Sequence, residues 1–192
     1  MKKILIGTHN QGKFKEIAYL ISKKYRKISP VSLKIKSPRE TGKTFSSNSK
    51  LKVNFFSKFV DFPVISDDSG LCIEALQNKP GIHSARLAKR KGGFFLAMKF
   101  ILKKLEKEKN RTATFVCNLS YKSIDGKIIS VEGKIYGKIS REILGNKGFG
   151  YDPIFIPTNK KITFGQMNKS KKIKLDHRFI AFKKLKKKVK IL

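Results

Sequence analysis

Residues 62–76 read FPVISDDSGLCIEAL. Phe62-Pro63-Val64-Ile65 is apolar and strand-like, and it runs into Asp67-Asp68, then Ser69-Gly70. The chain has 13 acidic residues against 45 basic ones, so two adjacent carboxylates stand out. The pattern predicts a strand over 63–66, an acidic doublet at its C-terminal end, and a second apolar run over 71–76. Neighbours in an extended strand point to opposite faces, so the two carboxylates need not reach the same site.

Reading outward, KKILIGT predicts a first strand, and THNQGK a turn that opens a helix running to about 22–24. Another strand is expected over 28–33, a loop over 37–44 and a mostly helical stretch over 45–59. Residues 94–109 form an amphipathic pattern with Phe94, Met98, Ile101 and Leu105 on the apolar side. Two strands, 113–121 and 127–139, flank Asp125-Gly126, a hairpin signal. A glycine-rich turn over 148–153 leads into a strand at 154–156, and a basic helix over 175–192 closes the chain. The expected fold is α/β, a mixed-sheet platform with flanking helices. With 192 residues, no repeat and no linker, a single domain over 1–192 is expected.

No apolar run approaches the roughly 18–20 residues that span a bilayer. MKKILIGTHN lacks the apolar length of a signal peptide, so the chain reads as cytoplasmic. Cys72 and Cys117 lie in apolar strand-like contexts without metal-ligand spacing and read as buried thiols. The net charge of +32 invites a nucleic-acid reading. Only seven basic residues are arginine, however, and lysine is diffuse, so nucleic-acid binding is expected to be at most nonspecific. The densest run, Lys183 to Lys190, reads either as a solvated helix face or as a polyanion-binding tail.

Four stretches can carry chemistry. Thr8-His9-Asn10-Gln11-Gly12-Lys13 leads from a strand into a helix, which suits phosphate; the alternative is an ordinary helix start capped by Asn10. Asp67-Asp68 suits a divalent metal near a phosphate, with one carboxylate able to take a proton from water; the alternative is a pair of turn aspartates. Glu40 is a possible further ligand or a solvated glutamate. Phe149-Gly150-Tyr151-Asp152 offers a ring between glycines for a flat ligand, or a packed aromatic turn. Asp176-His177-Arg178, with Lys172 upstream, offers donors to a base, or a surface cap with a salt bridge.

Six ordered blocks resemble one family, the Ham1-type pyrophosphatases of non-standard purine nucleoside triphosphates. They are TxNxxKxxE over 8–16; Glu40-Thr41-Gly42 with Thr44-Phe45, Asn48 and Lys52; SDDSGL over 66–71; PGIHSAR over 80–86; GFGYDPIF over 148–155; and His177-Arg178. The resemblance implies two lobes around a central cleft and hydrolysis of ITP, dITP and XTP to the monophosphate and pyrophosphate. It implies Mg²⁺ as cofactor and a homodimer. By position, Thr8, His9, Asn10, Gln11, Gly12 and Lys13 cradle phosphates. Asp68 is the base and a metal ligand, Glu40 a second ligand, and Asp67 a support. Ser69, Phe149, Gly150, Tyr151, Asp152, Lys172, His177 and Arg178 contact the rest of the substrate. The chain departs from the family pattern at His9, at Asp176, at Ser170-Lys171 and at Phe94-Phe95. The rival reading is a lysine-rich nucleic-acid-binding protein without catalysis.

Overall fold

The computed structural model describes residues 1–189. Lys190, and with it the end of the expected last helix, lies outside them. Strand β1 (Lys2–Ile6) leads into helix α1 (Gln11–Leu20), then strand β2 (Tyr25–Ile28) and helix α2 (Phe45–Phe56). Strands β3 (Val64–Ile73) and β4 (Lys79–Pro80) precede helices α3 (Ser84–Arg90) and α4 (Phe94–Lys104). Strands β5 (Thr112–Lys122), β6 (Ile128–Ile139) and β7 (Phe155–Pro157) follow, then helices α5 (Lys169–Lys172) and α6 (His177–Lys188). One seven-stranded mixed sheet has the order β2-β1-β3-β5-β6-β7, with β4 paired to β3. β2 and β3 run parallel to β1, with Leu5 opposite Val64, whereas β4 and β7 pair antiparallel. The expected mixed α/β sheet with flanking helices is present.

The chain divides into two compact units, one of Met1–Asp68, Cys117–Gly133 and Arg178 onward, the other of Ser69–Val116 and Lys134–His177. In the first unit, strand alternation sorts the core. Ile4, Ile6 and Ile65 pack with Ile17 of α1 and with Ala181 and Leu185 of α6. Leu5 and Val64, one residue out of phase, pack with Val53 and Phe56 of α2. The second unit has its own core of Leu71, Ile73, Leu87, Ala97, Ile101, Phe115, Phe155 and Phe164. Each fully buried side chain of this kind is worth roughly 1.5–3 kcal/mol over exposure.

Several expectations need correction, among them the amphipathic stretch 94–109, whose helix ends at Lys104, and Cys72, which is half-buried where a buried thiol was expected. The strand expected over 63–66 continues through the doublet as β3, so Asp67 and Asp68 lie inside a strand, not at its end. Asp, Ser and Gly favour turns locally, but β3 pairs with β1 before the doublet and with β4 after it, and the backbone stays extended through Asp67 and Asp68. The strand expected over 28–33 lies earlier, at Tyr25–Ile28, because Tyr25 is buried in the core and Pro30 then opens a short 3₁₀ turn, Val31–Leu33. The last helix begins at His177, not 175, after the separate turn of α5. In α6, Leu185 is buried while Lys186, Lys187 and Lys188 are exposed, so the described part of the lysine run is a solvated helix face.

Candidate active site

The first unit gathers its charges around β3. Alternation sends Asp67 to the face of Ile65, where α1 and α6 pack, and Asp68 to the face of Val64, where α2 packs. Asp67 is fully buried; Lys13 Nζ lies 3.2 Å and Arg178 Nε 3.5 Å from its Oδ2. Among the described residues its Oδ1 has no hydrogen-bond partner. Burial opposes ionisation of Asp67, but Lys13, Arg178 and Lys52 outweigh it and hold the carboxyl well below the usual range. Asp68 accepts a 3.0 Å hydrogen bond from Asn48 Nδ2. Burial, reinforced by the charge of Glu40, pushes the Asp68 pKa up despite Lys52, Lys13 and Asn48. Two adjacent carboxylates therefore differ in kind: Asp67 stays charged, and Asp68 has the higher proton affinity.

Asn48 is held from both sides. Its Oδ1 accepts from the Gly42 N–H at 2.8 Å while its Nδ2 reaches Asp68. A Cβ on Gly42 would lie 2.6 Å from that Oδ1, so only glycine permits the approach. One turn along α2, buried Lys52 pairs with Glu40 at 2.9 Å. Burial alone would lower the Lys52 pKa, but Asp67, Glu40 and Asp68 together raise it, so it stays a cation. Burial likewise opposes ionisation of Glu40, and Lys52 and Lys13 overcome it. Arg178 is buried and pairs with Glu16 at 2.8 Å as well as with Asp67.

The opening loop takes the form of a capped helix start. Asn10 caps α1, its Oδ1 accepting from the Lys13 N–H at 3.0 Å, and the Thr8 hydroxyl accepts from the Asn10 N–H at 3.2 Å. Thr8 is buried, Gln11 exposed and Gly12 half-buried at the start of α1. His9 is exposed, and its Nε2 lies 2.9 Å from the Ile35 carbonyl. This departure from the family pattern is therefore anchored to a neighbouring loop.

The second unit carries an aromatic set. Gly148 turns at φ +76, and a Cβ there would fall on Asp152 Oδ2. That oxygen accepts from the Phe149 N–H at 2.8 Å and from Lys172 Nζ at 2.7 Å. Lys172 also lies 4.9 Å from the Phe149 ring centroid. Phe149 and Gly150 are half-buried, and so is Ser69. Tyr151 is buried and donates to the Ser84 carbonyl at 2.9 Å, so its hydroxyl braces the loop. His177 stacks on Phe115 at 4.9 Å. Asp176, His177 and Arg178 are all buried, which rules out the surface-cap alternative for them.

Sequence reasoning gave no role to Asn48, Lys52 or Glu16. The signal was present for two of them: Asn48 and Lys52 stand four apart, on one face of α2. For metal, Glu40 and Asp68 offer hard carboxylate oxygens, and the orphaned Oδ1 of Asp67 is a further buried acceptor nearby in sequence. Among the described residues no group of three or more His, Cys, Asp and Glu is placed to hold an ion. This donor set fits Mg²⁺, which takes one or two carboxylates and completes its shell with water and phosphate. Among the described residues no helix is long and apolar enough to cross a membrane.

Comparison with known proteins identifies the family. The Ham1 family matches residues 4–188. A dITP/XTP pyrophosphatase of Caulobacter vibrioides is 39% identical over 186 residues, 96% of each chain. One from Borrelia duttonii is 41% identical over 196 residues, 97% of this chain and 96% of that one. The Ham1 protein of Staphylococcus aureus superposes with a TM-score of 0.87 at 34% identity, over 98% of each chain. A Coxiella burnetii HAM1 protein does so at 0.88 and 28% identity over the whole of both. With a match that runs nearly end to end and relatives this similar, the chain belongs to the Ham1 family.

Proposed function

We propose that this protein hydrolyses non-standard purine nucleoside triphosphates, dITP, ITP and XTP, to the monophosphate and pyrophosphate. The observation that carries the reading is the division of labour in the doublet: Asp67 is kept ionised by Lys13, Arg178 and Lys52, while Asp68 is biased toward taking a proton. Relatives named dITP/XTP pyrophosphatase supply the substrate class.

In the reaction, Asp68 accepts a proton from water as the water oxygen bonds to phosphorus and the bridging P–O bond between the α- and β-phosphates breaks. Asn48 fixes the Asp68 carboxylate against rotation. Lys13 and Lys52, with the N-terminus of α1, offset phosphate charge. Mg²⁺ held by Glu40 and Asp68 would neutralise phosphate oxygens and favour departure of pyrophosphate. Phe149, braced by Asp152 and Lys172, offers a ring for base stacking, and His177 a donor to a 6-oxo group. Arg178, committed to Glu16 and Asp67, serves mainly to set Asp67 and Lys13. The working form on this reading is a cytoplasmic homodimer, which sedimentation would test.

The deciding assay is pyrophosphate release with Mg²⁺ from ITP, XTP, dITP, ATP, GTP and dTTP, with a metal-free control. Turnover should favour ITP, dITP and XTP. Equal turnover of ATP and ITP, or release from none of them, overturns the proposal.

A further inference from the structure

Two of the seven arginines, Arg111 and Arg141, line the same surface cavity of about 450 Å³ together with Lys109 and Lys138. None of these residues belongs to the candidate active site. Among the described residues, no acidic side chain lines the cavity. The carboxylates around it are Glu106, which lines an adjoining depression with both arginines, Glu74, which accepts from Asn110 at 3.3 Å, and Glu142, next to Arg141 in the chain.

Arg111 is held rigidly. Its Nε donates to the Ile139 carbonyl at 2.9 Å, its Nη1 to Leu105 at 2.7 Å and its Nη2 to Ser140 at 2.5 Å. These partners join the end of α4 to the end of β6, which is a structural duty. They are also neutral, so they fix the guanidinium without cancelling its charge. A guanidinium carries five N–H donors, and two are left for something else. Burial, and then the nearby charge of Arg141, depress the Arg111 pKa, the mark of like charges held together. Arg141, Lys109 and Lys138 are exposed and can turn toward a common ligand. In a chain where lysine is diffuse, two arginines converging on an acid-free cavity form a local exception.

We propose that Arg111, Arg141, Lys109 and Lys138 bind a free phosphate-type oxyanion, of the size of inorganic diphosphate. Guanidinium forks match phosphate oxygens in pairs, and the preset fork of Arg111 loses little freedom on binding. The site stands independently of the hydrolysis proposed above.

The test is an NMR titration of the full chain with inorganic diphosphate, without Mg²⁺ and at constant ionic strength. The Arg111 Nε–H, bonded to Ile139, and the amides of 138–141 report this cavity, whereas amides near Lys13 and Asp68 report the candidate active site. Saturable shifts at Arg111 are expected, weakened roughly 10-fold or more in Arg141→Gln, with turnover of the variant unchanged. Lys138→Gln serves as an independent second variant with the same expectation. Shifts that sodium chloride reproduces without saturation would overturn the site, as would undiminished binding in both variants. A single-stranded oligonucleotide that saturates the same resonances at lower phosphate concentration would reassign the cavity to nucleic acid and sink the free-oxyanion proposal. Saturable shifts at Arg111 with none at the Lys13 and Asp68 amides would support this site, and the active site is judged separately by the pyrophosphate-release assay with Mg²⁺.

Discussion

The polar cluster of the first unit and that of the second solve different problems with different materials. Around β3, four carboxylates, Glu16, Glu40, Asp67 and Asp68, meet three cations, Lys13, Lys52 and Arg178. Four of the 13 acidic residues thus collect in one place. In the second unit, one carboxylate, Asp152, and one cation, Lys172, sit among the rings of Phe149 and Phe164. The first arrangement keeps several charges in play, and its two aspartates are tuned in opposite directions. The second uses a single neutralised pair as a brace for aromatic surface. The contrast predicts that substitutions in the first cluster act on chemistry, and those in the second on stability and on binding of a flat ring.

The largest expected effect is at Asp68. Asp68→Asn keeps the size and an oxygen acceptor but removes the basic oxygen and a metal-binding charge. Single-turnover pyrophosphate release should fall by roughly 10²- to 10⁴-fold, with an unchanged melting curve. A variant that keeps more than about a tenth of the rate would show that the base lies elsewhere. An unfolded variant would make the doublet structural and erase the contrast.

Next is the brace. Asp152 and Lys172 are both buried, so Asp152→Ala leaves a buried ammonium without its carboxylate. Breaking a buried pair from one side costs about 3–5 kcal/mol. Chemical denaturation should show a loss of that order. A loss below about 1 kcal/mol would mean that the pair is no more than a surface-type bridge.

Much of this was legible in the residues. Alternation along β3 already separates Asp67 from Asp68, and Asn10 and Asp125-Gly126 announce a helix cap and a turn, as found. The length of β3 was not legible. The local signal of Asp-Asp-Ser-Gly is a turn, whereas pairing with distant strands, β1 and β4 among them, holds β3 extended. Arg178 illustrates the same limit: the sequence offered a salt bridge there but not its partner, Glu16, which is 162 positions away. Tyr151, a substrate contact by resemblance, has its hydroxyl bonded to the Ser84 carbonyl.

A middle-sized effect separates the clusters by kinetics. Phe149→Ala removes the half-buried ring while leaving the loop backbone and Asp152 in place. Loss of base–aromatic stacking is worth about 1–3 kcal/mol, so KM for ITP should rise by roughly 10- to 100-fold with a smaller change in kcat. A fall in kcat alone would place Phe149 with the chemistry instead.

The two aspartates also predict opposite responses to pH. Asp67 has a folded pKa below its ordinary 3.8, so its contribution to stability is present above that value and is lost as pH falls toward the folded pKa. Asp68 has a folded pKa above its ordinary 3.8, so its contribution runs the other way, present below that value and lost as pH rises through the folded pKa. In the metal-free protein the Asp68 carboxyl, followed by NMR, should titrate above its ordinary 3.8, and a midpoint at or below 3.8 would remove the contrast between the two aspartates.

The smallest effect is expected where the charge is densest. In α6, Ala181, Phe182 and Leu185 are buried, while Lys183, Lys186 and Lys187 are exposed. Replacing those three lysines with glutamine removes charge from a solvated face without touching the core, and each exposed change is worth within about ±0.5 kcal/mol. Melting and turnover should be nearly unchanged. Nonspecific binding to single-stranded DNA should weaken, and the slope of log affinity against log salt should shrink by about 0.7 for each phosphate no longer neutralised. Truncation after Phe182 is the instructive contrast, because it also deletes Leu185 and Val189 from the first unit's core and so should destabilise the fold. A triple glutamine variant that loses turnover would tie the lysine face to the reaction and remove the distinction between charges that do chemistry and charges that only meet solvent.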